Sequence, residues 1–179
     1  MGLLAQPAAG IRQKPSPGTN EMNILHILSG DFVTGSETST AALIGRQARA
    51  GHKVFVAAGS FNHEVPARFF PVPIHNRNFL KRVLNVWALG LIIRREKIDL
   101  VHAHSRAASW VSYWACRFSK TAYLSTLHGR QHLHFSNRYF NAYGPRCICV
   151  CENIRDQMLE GTHVFKPSQL TVIRNGFEL

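Results

Sequence analysis

An imidazole at the carboxyl end of a strand is the residue here best placed for chemistry. TAYLSTLHG (Thr121 to Gly129) reads as a strand that runs into His128 and Gly129, at the edge where open parallel sheets bind ligands. His128 can donate to a sugar hydroxyl or steady a developing charge there, or serve as a structural histidine bonded to a loop carbonyl. Gly129 allows a tight change of direction, and the following positive loop from Arg130 to Arg138 suits an acidic acceptor or plain solvation. Gly35, Ser36 and Glu37 form a second candidate. Gly35 lets backbone approach a ligand, and the amides of Ser36 and Glu37 at a helix start face a phosphate or sugar oxygen. An ordinary turn capped by Ser36 or Thr38 is the other reading.

His102 and His104 alternate on IDLVHAH and share a face. Zinc would need further ligands, with His132 and His134 the reserve, but no recognised spacing joins the two pairs, so no metal is expected. Ser105 suits a helix cap, and Arg106 in the first turn faces an anion or solvent. Cys147, Cys149 and Cys151 cannot wrap a tetrahedron while their strand stays extended, so they read as small core residues. Cys151 also precedes a helix carrying Glu152 and Arg155, where a helix start favours thiolate.

These residues need a βαβ frame. NILHIL (Asn23 to Leu28) predicts a buried strand, SGDFVTGS (Ser29 to Ser36) a glycine-punctuated loop, Glu37 to Gly51 a helix and His52 to Ala58 a second strand. The loop has neither G-x-G-x-x-G nor G-x-x-x-x-G-K, which argues against dehydrogenase and P-loop readings. Gly59 to Ile74 predicts loop and a short strand. Arg77 to Lys97 predicts a helix with Leu80, Leu84, Trp87 and Leu91 at helical spacing, a face for packing on the sheet. Its six Lys or Arg against one acid also suit an anionic membrane surface, with Arg77, Lys81 and Arg82 near lipid heads. Ile98 to His104 is the next strand and Ser105 to Lys120 the next helix. Pro145 to Gly161 holds a strand apolar on both faces, expected to be central, then a helix. Leu170 to Gly176 is the last strand, and residues 1–22 read as a flexible leader.

At 179 residues and 45% apolar composition the chain holds one domain with a sizeable core. A formal charge of +11, from 21 Lys+Arg against 10 Asp+Glu, attracts phosphates, acidic glycans, anionic lipid heads or nucleic acid. The cations are dispersed and no nucleic-acid module is recognised, so nucleic acid is not an expected partner. Cysteines two apart on an extended strand point the same way yet lie too far apart to bridge, which suggests a reducing compartment, and hence cytoplasm. No run of 18 apolar residues and no signal-peptide order is present.

In order and spacing, SGDFVTGSETSTAALIGRQARAGHKVFVAAG, DLVHAHSRAASW, LSTLHG, CVCENIRDQML and LTVIRNGFEL resemble the amino-terminal domain of the family four retaining glycosyltransferases. The resemblance spans Asn23 to Leu179. It implies an α/β, Rossmann-like three-layer domain with a mostly parallel sheet, the N-terminal half of a GT-B fold. It implies transfer of a sugar from a nucleotide-sugar donor, with no other cofactor, to a glycan or lipid-linked acceptor in lipopolysaccharide or cell-surface polysaccharide synthesis. By resemblance Gly35 and Ser36 match a glycine pair near the donor phosphates, His128 the histidine contacting the donor sugar, and Asp99 to Arg106, with His104 and Ser105, a segment reaching the acceptor. Asn175 and Gly176 match the domain junction. Ser36 in place of the second glycine narrows the phosphate approach, and Cys151 stands where a serine is usual. The family's C-terminal donor-binding domain has no counterpart in these 179 residues, so the piece alone is expected to be inactive. The alternative is a non-catalytic basic module that binds an acidic glycan, an anionic membrane surface or a partner protein.

Overall fold

The computed structural model describes residues 21–29, 35–75, 78–133 and 139–175. The proposed leader, apart from Glu21 and Met22, lies outside them. The β strands are β1 (Asn23–Ile27), β2 (Lys53–Ala58), β3 (Arg68–Pro71), β4 (Leu100–Ala103), β5 (Ala122–Leu127), β6 (Cys147–Cys149) and β7 (Leu170–Val172). Between them run α1 (Gly35–Arg49), α2 (Phe79–Arg95), α3 (Arg106–Ser119) and α4 (Glu152–Gly161). The strands form a single parallel sheet in the order β3-β2-β1-β4-β5-β6-β7. The order reverses between β1 and β4, and such a switch point opens a crevice at the carboxyl ends of the strands. The expected α/β, mostly parallel Rossmann-like domain is therefore present.

Alternation along the strands separates two faces. Leu25, Ile27, Phe55, Ala57, Val101 and Ala103 pack under α2 and α3, and Leu127, Cys147 and Cys149 continue this layer under Ile154 and Met158 of α4. Val54, Val56 and Ala58 meet Ile44 of α1 on the opposite face. Phe61, Val65 and Ala67, from the segment between β2 and β3, pack beside it. Next to it the register His26↔His102, His102↔Leu124 and Thr126↔Ile148 lays a partly polar strip across β1, β4, β5 and β6.

The helix ends follow local chemistry. Gly51, at φ 94°, ends α1, with the amides of Gly51 and His52 donating to the carbonyls of Ala48 and Gln47, a Schellman arrangement. Helix α1 begins two residues before the expected Glu37. Ser36 and Thr38 thus lie inside the helix and neither is its N-cap, whose position falls outside the described residues. Asn78 caps α2 by accepting from the amides of Leu80 and Lys81, and Ser105 caps α3 by accepting from Ala108 at 3.1 Å, as expected.

Two expectations need correction. Leu80, Leu84, Trp87 and Leu91 face outward, 46% to 70% exposed, and α2 instead buries Asn85, Val86, Leu89 and Ile93. The helix is apolar nearly all round, so hydrophobic spacing does not select its face. Asn85 marks the inner side, because its amide donates to the Pro73 carbonyl at 2.7 Å. Likewise, β6 is penultimate rather than central. Cys147 and Cys149 are buried under α4, while Ile148 looks out from the other face and is only half-buried.

Gly144 has φ 94°, and a Cβ there would lie 2.8 Å from the Tyr123 ring. That ring is held by its hydroxyl, within 3.1 Å of Ser109 O and 2.8 Å of Ala142 O. Gly144→Ala is therefore expected to destabilise the fold by about 2 kcal/mol or more. Urea unfolding reads this directly, and an unchanged midpoint would refute it.

Candidate functional site

Parallel pairing of β1 with β4 puts His26 directly beside His102. His104 follows β4, its amide donating to Ile27 O at 3.0 Å, and His128 follows β5. The rings stack into one group: the centroid of His104 lies 5.1 Å from His26, 4.1 Å from His102 and 5.5 Å from His128. His26, His102 and His104 are buried. They are tolerated there because each finds polar partners. His26 Nε2 lies 2.7 Å from Gln47 Oε1 on α1, and His26 Nδ1 lies 2.9 Å from His104 Nε2. His102 Nε2 meets Thr126 Oγ1 at 2.7 Å. His104 Nδ1 is 3.2 Å from both Thr40 Oγ1 and His128 Nε2.

Burial disfavours the charged form of every ring in this group. It lowers His26 and His128 from 6.5 to about 4. For His102 and His104 burial is again the main cause of a strong lowering, helped by repulsion from the neighbouring histidines. All four are neutral near pH 7. His128 Nδ1 is buried and has no hydrogen-bond partner among the described residues.

A cavity of about 420 Å³ opens beside this group. Its wall includes Thr38 to Thr40 and Arg46 of α1, His102, His104, Thr126 and His128, then Ile148, Arg174 and Asn175. The candidates His104, His128 and Asn175 thus share one cavity. Gly35, Ser36 and Glu37 form the first turn of α1 just before Thr38; Gly35 is exposed, Ser36 half-buried and Glu37 buried. A Cβ on Gly35 or Gly129 would meet nothing within 4 Å, which leaves room for a ligand. The chain bends at Gly129 just after β5, without the left-handed backbone that would demand glycine there. The segment after it is pinned to α4 instead, with the amide of Gln131 donating to Gln157 Oε1 and Gln157 Nε2 donating to Gln131 O.

Ser105, Arg106, Gly129 and Arg130 are not in the cavity wall. The Ser105 hydroxyl is the α3 cap, Arg106 reaches His132 O at 3.4 Å, and Arg130 is exposed. Gly176 and His134 lie outside the described residues. As for a metal, the residue whose ring nitrogen comes within 4.8 Å of those of His102 and His104 is His26, not His132. The sequence reading missed His26, Gln47 and the cations Arg46 and Arg174. A polar residue inside the otherwise apolar NILHIL was the available signal for His26. Cys151 holds the N-cap position of α4 and is not in the cavity wall, although Val150 beside it is.

The sequence profile of Glycosyltransferase Family 4 matches residues 33–179. No curated protein matches the chain. Among solved structures, a glycosyltransferase from Rickettsia africae aligns with a TM-score of 0.74 at 20% identity, covering 87% of this chain and 43% of that one. Anabaena HepE, solved with UDP and glucose, aligns with a TM-score of 0.66 at 15% identity, covering 88% and 45%. A UDP-GlcNAc 2-epimerase from Neisseria meningitidis aligns with a TM-score of 0.61 at 12% identity, covering 84% and 45%. The chain spans less than half the length of each of these structures. Because the same fold serves transferases and an epimerase, the fold by itself selects neither chemistry.

Proposed function

The chain belongs to Glycosyltransferase Family 4, and on that premise we propose that it is the acceptor-side half of a retaining GT-B glycosyltransferase. It would act on a nucleotide sugar and a glycan or lipid-linked acceptor of lipopolysaccharide or cell-surface polysaccharide synthesis. The observation that carries the reading is the cavity at the strands' carboxyl ends, where His128 faces the first turns of α1. The leading amides of a helix lack intrahelical partners and carry partial positive charge. With Arg46 and Arg174 in the wall, the start of α1 suits the diphosphate that gathers charge as the sugar bond breaks. His128, neutral and at the edge of the sheet, steadies the sugar while the acceptor enters on the face the diphosphate leaves, which retains configuration. The remaining nucleotide contacts fall to a C-terminal domain.

The test is to read the gene past the codon for Leu179 and assay the two-domain protein against a panel of nucleotide sugars. Transfer with retained anomeric configuration is expected, and none from the 179 residues alone. Inversion would remove the retaining assignment, and turnover of no donor would remove transfer.

The outward face of α2 bears on location. No helix of the described residues is long and apolar enough to cross a membrane. Phe79, Leu80, Leu84 and Trp87 are nonetheless 62% to 70% exposed, and Phe118 of α3 is 66% exposed beside them. Lys81, Arg82, Arg94 and Arg117 accompany them, and neither helix contains an acid. Apolar side chains flanked by cations suit the headgroup region of an anionic bilayer, which supports a peripheral location on the cytoplasmic side of the cell membrane. Trp87→Glu is expected to abolish cosedimentation with phosphatidylglycerol vesicles that the wild type shows and that salt weakens. Equal binding by the variant would contradict this. Vesicle binding by a two-domain protein that turns over no nucleotide sugar would favour the basic interaction module instead.

A further inference from the structure

The buried histidines are joined end to end in a way that the proposed transfer reaction does not require of a core. Gln47 Oε1, His26, His104 and His128 form a continuous run of contacts of 2.7, 2.9 and 3.2 Å. A neutral imidazole has one N–H and one lone pair, so each contact fixes the next. The amide oxygen of Gln47 can only accept, so His26 must donate from Nε2 and offer the lone pair of Nδ1. His104 then donates to it from Nε2, which leaves the lone pair on His104 Nδ1. Two groups lie near that lone pair. The single hydrogen of the Thr40 hydroxyl is directed to Ser36 O at 2.7 Å, so the donor to His104 Nδ1 is the Nε2–H of His128. His128 is left with its hydrogen on Nε2 and a lone pair on Nδ1, the buried atom that has no partner among the described residues.

We propose that Gln47, His26 and His104 are positioning residues that set the tautomer of His128, so that its Nδ1 presents a lone pair. The inference rests on the reading of His128 as the sugar-facing residue. It specifies that His128 accepts a hydrogen bond from a donor-sugar hydroxyl rather than donating one. A lone pair also suits the positive charge that builds on a sugar ring as its anomeric bond loosens. The direction of the run is decided on α1, where Gln47 occupies the last turn and its side chain meets β1.

The test is nitrogen NMR of the histidine rings in the full chain at neutral pH without donor, since a ring nitrogen bearing hydrogen and one bearing a lone pair resonate far apart. The expected wild-type spectrum has hydrogen on His128 Nε2 and none on Nδ1. Gln47→Glu, whose carboxylate can only accept, should leave that pattern unchanged, whereas Gln47→Leu should move part or all of the His128 hydrogen to Nδ1. Hydrogen on Nδ1 in the wild type, or a His128 pattern unaltered in a folded Gln47→Leu, would overturn the proposal. If Gln47→Leu does not fold, the wild-type spectrum together with that of Gln47→Glu decides: a reversed run in the wild type that Gln47→Glu switches refutes it. The outcome does not depend on nucleotide-sugar turnover, so a failure here is distinct from a failure of the transfer reading.

Discussion

His128→Ala in the two-domain protein is expected to lower kcat for sugar transfer by about 10²-fold or more, the scale seen when one preorganised transition-state contact is removed. The fold should hardly notice. His128 is half-buried after the end of β5, and among the described residues its side chain makes one hydrogen-bond contact, with His104 Nδ1 at 3.2 Å. His104 also lines the open cavity, so water can take the place of the lost donor. Truncation therefore widens a cavity that is already open and costs about 1 kcal/mol for the lost hydrogen bond. Kinetics and urea unfolding on the same variant separate the two effects. Wild-type kcat in a folded His128→Ala protein would remove His128 from the reaction, whereas a loss of activity that tracks unfolding would make it structural.

The second large effect is sensitivity to mild acid. His26, His102 and His104 are neutral in the fold because burial holds them below their ordinary value of 6.5, His26 at about 4 and the other two well down. The unfolded chain binds protons near 6.5, whereas His26 in the fold does not until about pH 4 and the other two also resist protonation. Between those limits unfolding takes up protons, so stability is complete above about pH 6.5 and falls as pH drops towards 4. Each such group weakens the fold by about 1.4 kcal/mol per pH unit in that window. His102 and His104 act in the same direction, against a total of about 5–15 kcal/mol for a typical domain. Urea midpoints at pH 7.5 and 5.5 are expected to differ sharply. Replacing His26, the most isolated from solvent, with Phe should reduce the difference if the variant folds. Equal wild-type midpoints at the two pH values would contradict this account of the histidine group.

Local patterns carried most of the fold. β1, α1 and β2 were legible because a mostly apolar six-residue run, a helical period and Gly51 follow one another, and the Schellman contacts at Gly51 are the physical counterpart of that glycine. His128 was legible because a strand pattern ends on it. Ser105 was legible as a cap because its side chain acts within three residues. Long-range pairing was not legible. His26 and His104 are 78 residues apart and meet only because β1 lies beside β4, so the sequence reading looked to His132 for a partner that β1 supplies. The buried side of α2 escaped for a different reason. With apolar residues nearly all round, a single polar group, Asn85 on Pro73 O, is what marks the inner face. The breadth of the sheet misled the reading of β6, because an apolar strand next to the edge looks like a central one when α4 covers only one of its faces.

The most direct measurement is a crystal structure of the two-domain protein with an unreacted nucleotide sugar bound. The account predicts the sugar ring in the cavity between His128 and α1, a sugar hydroxyl within hydrogen-bond distance of His128 Nδ1, and the diphosphate over the first turn of α1 from Gly35 to Glu37. A sugar bound away from His128, with that cavity holding only solvent, would contradict it.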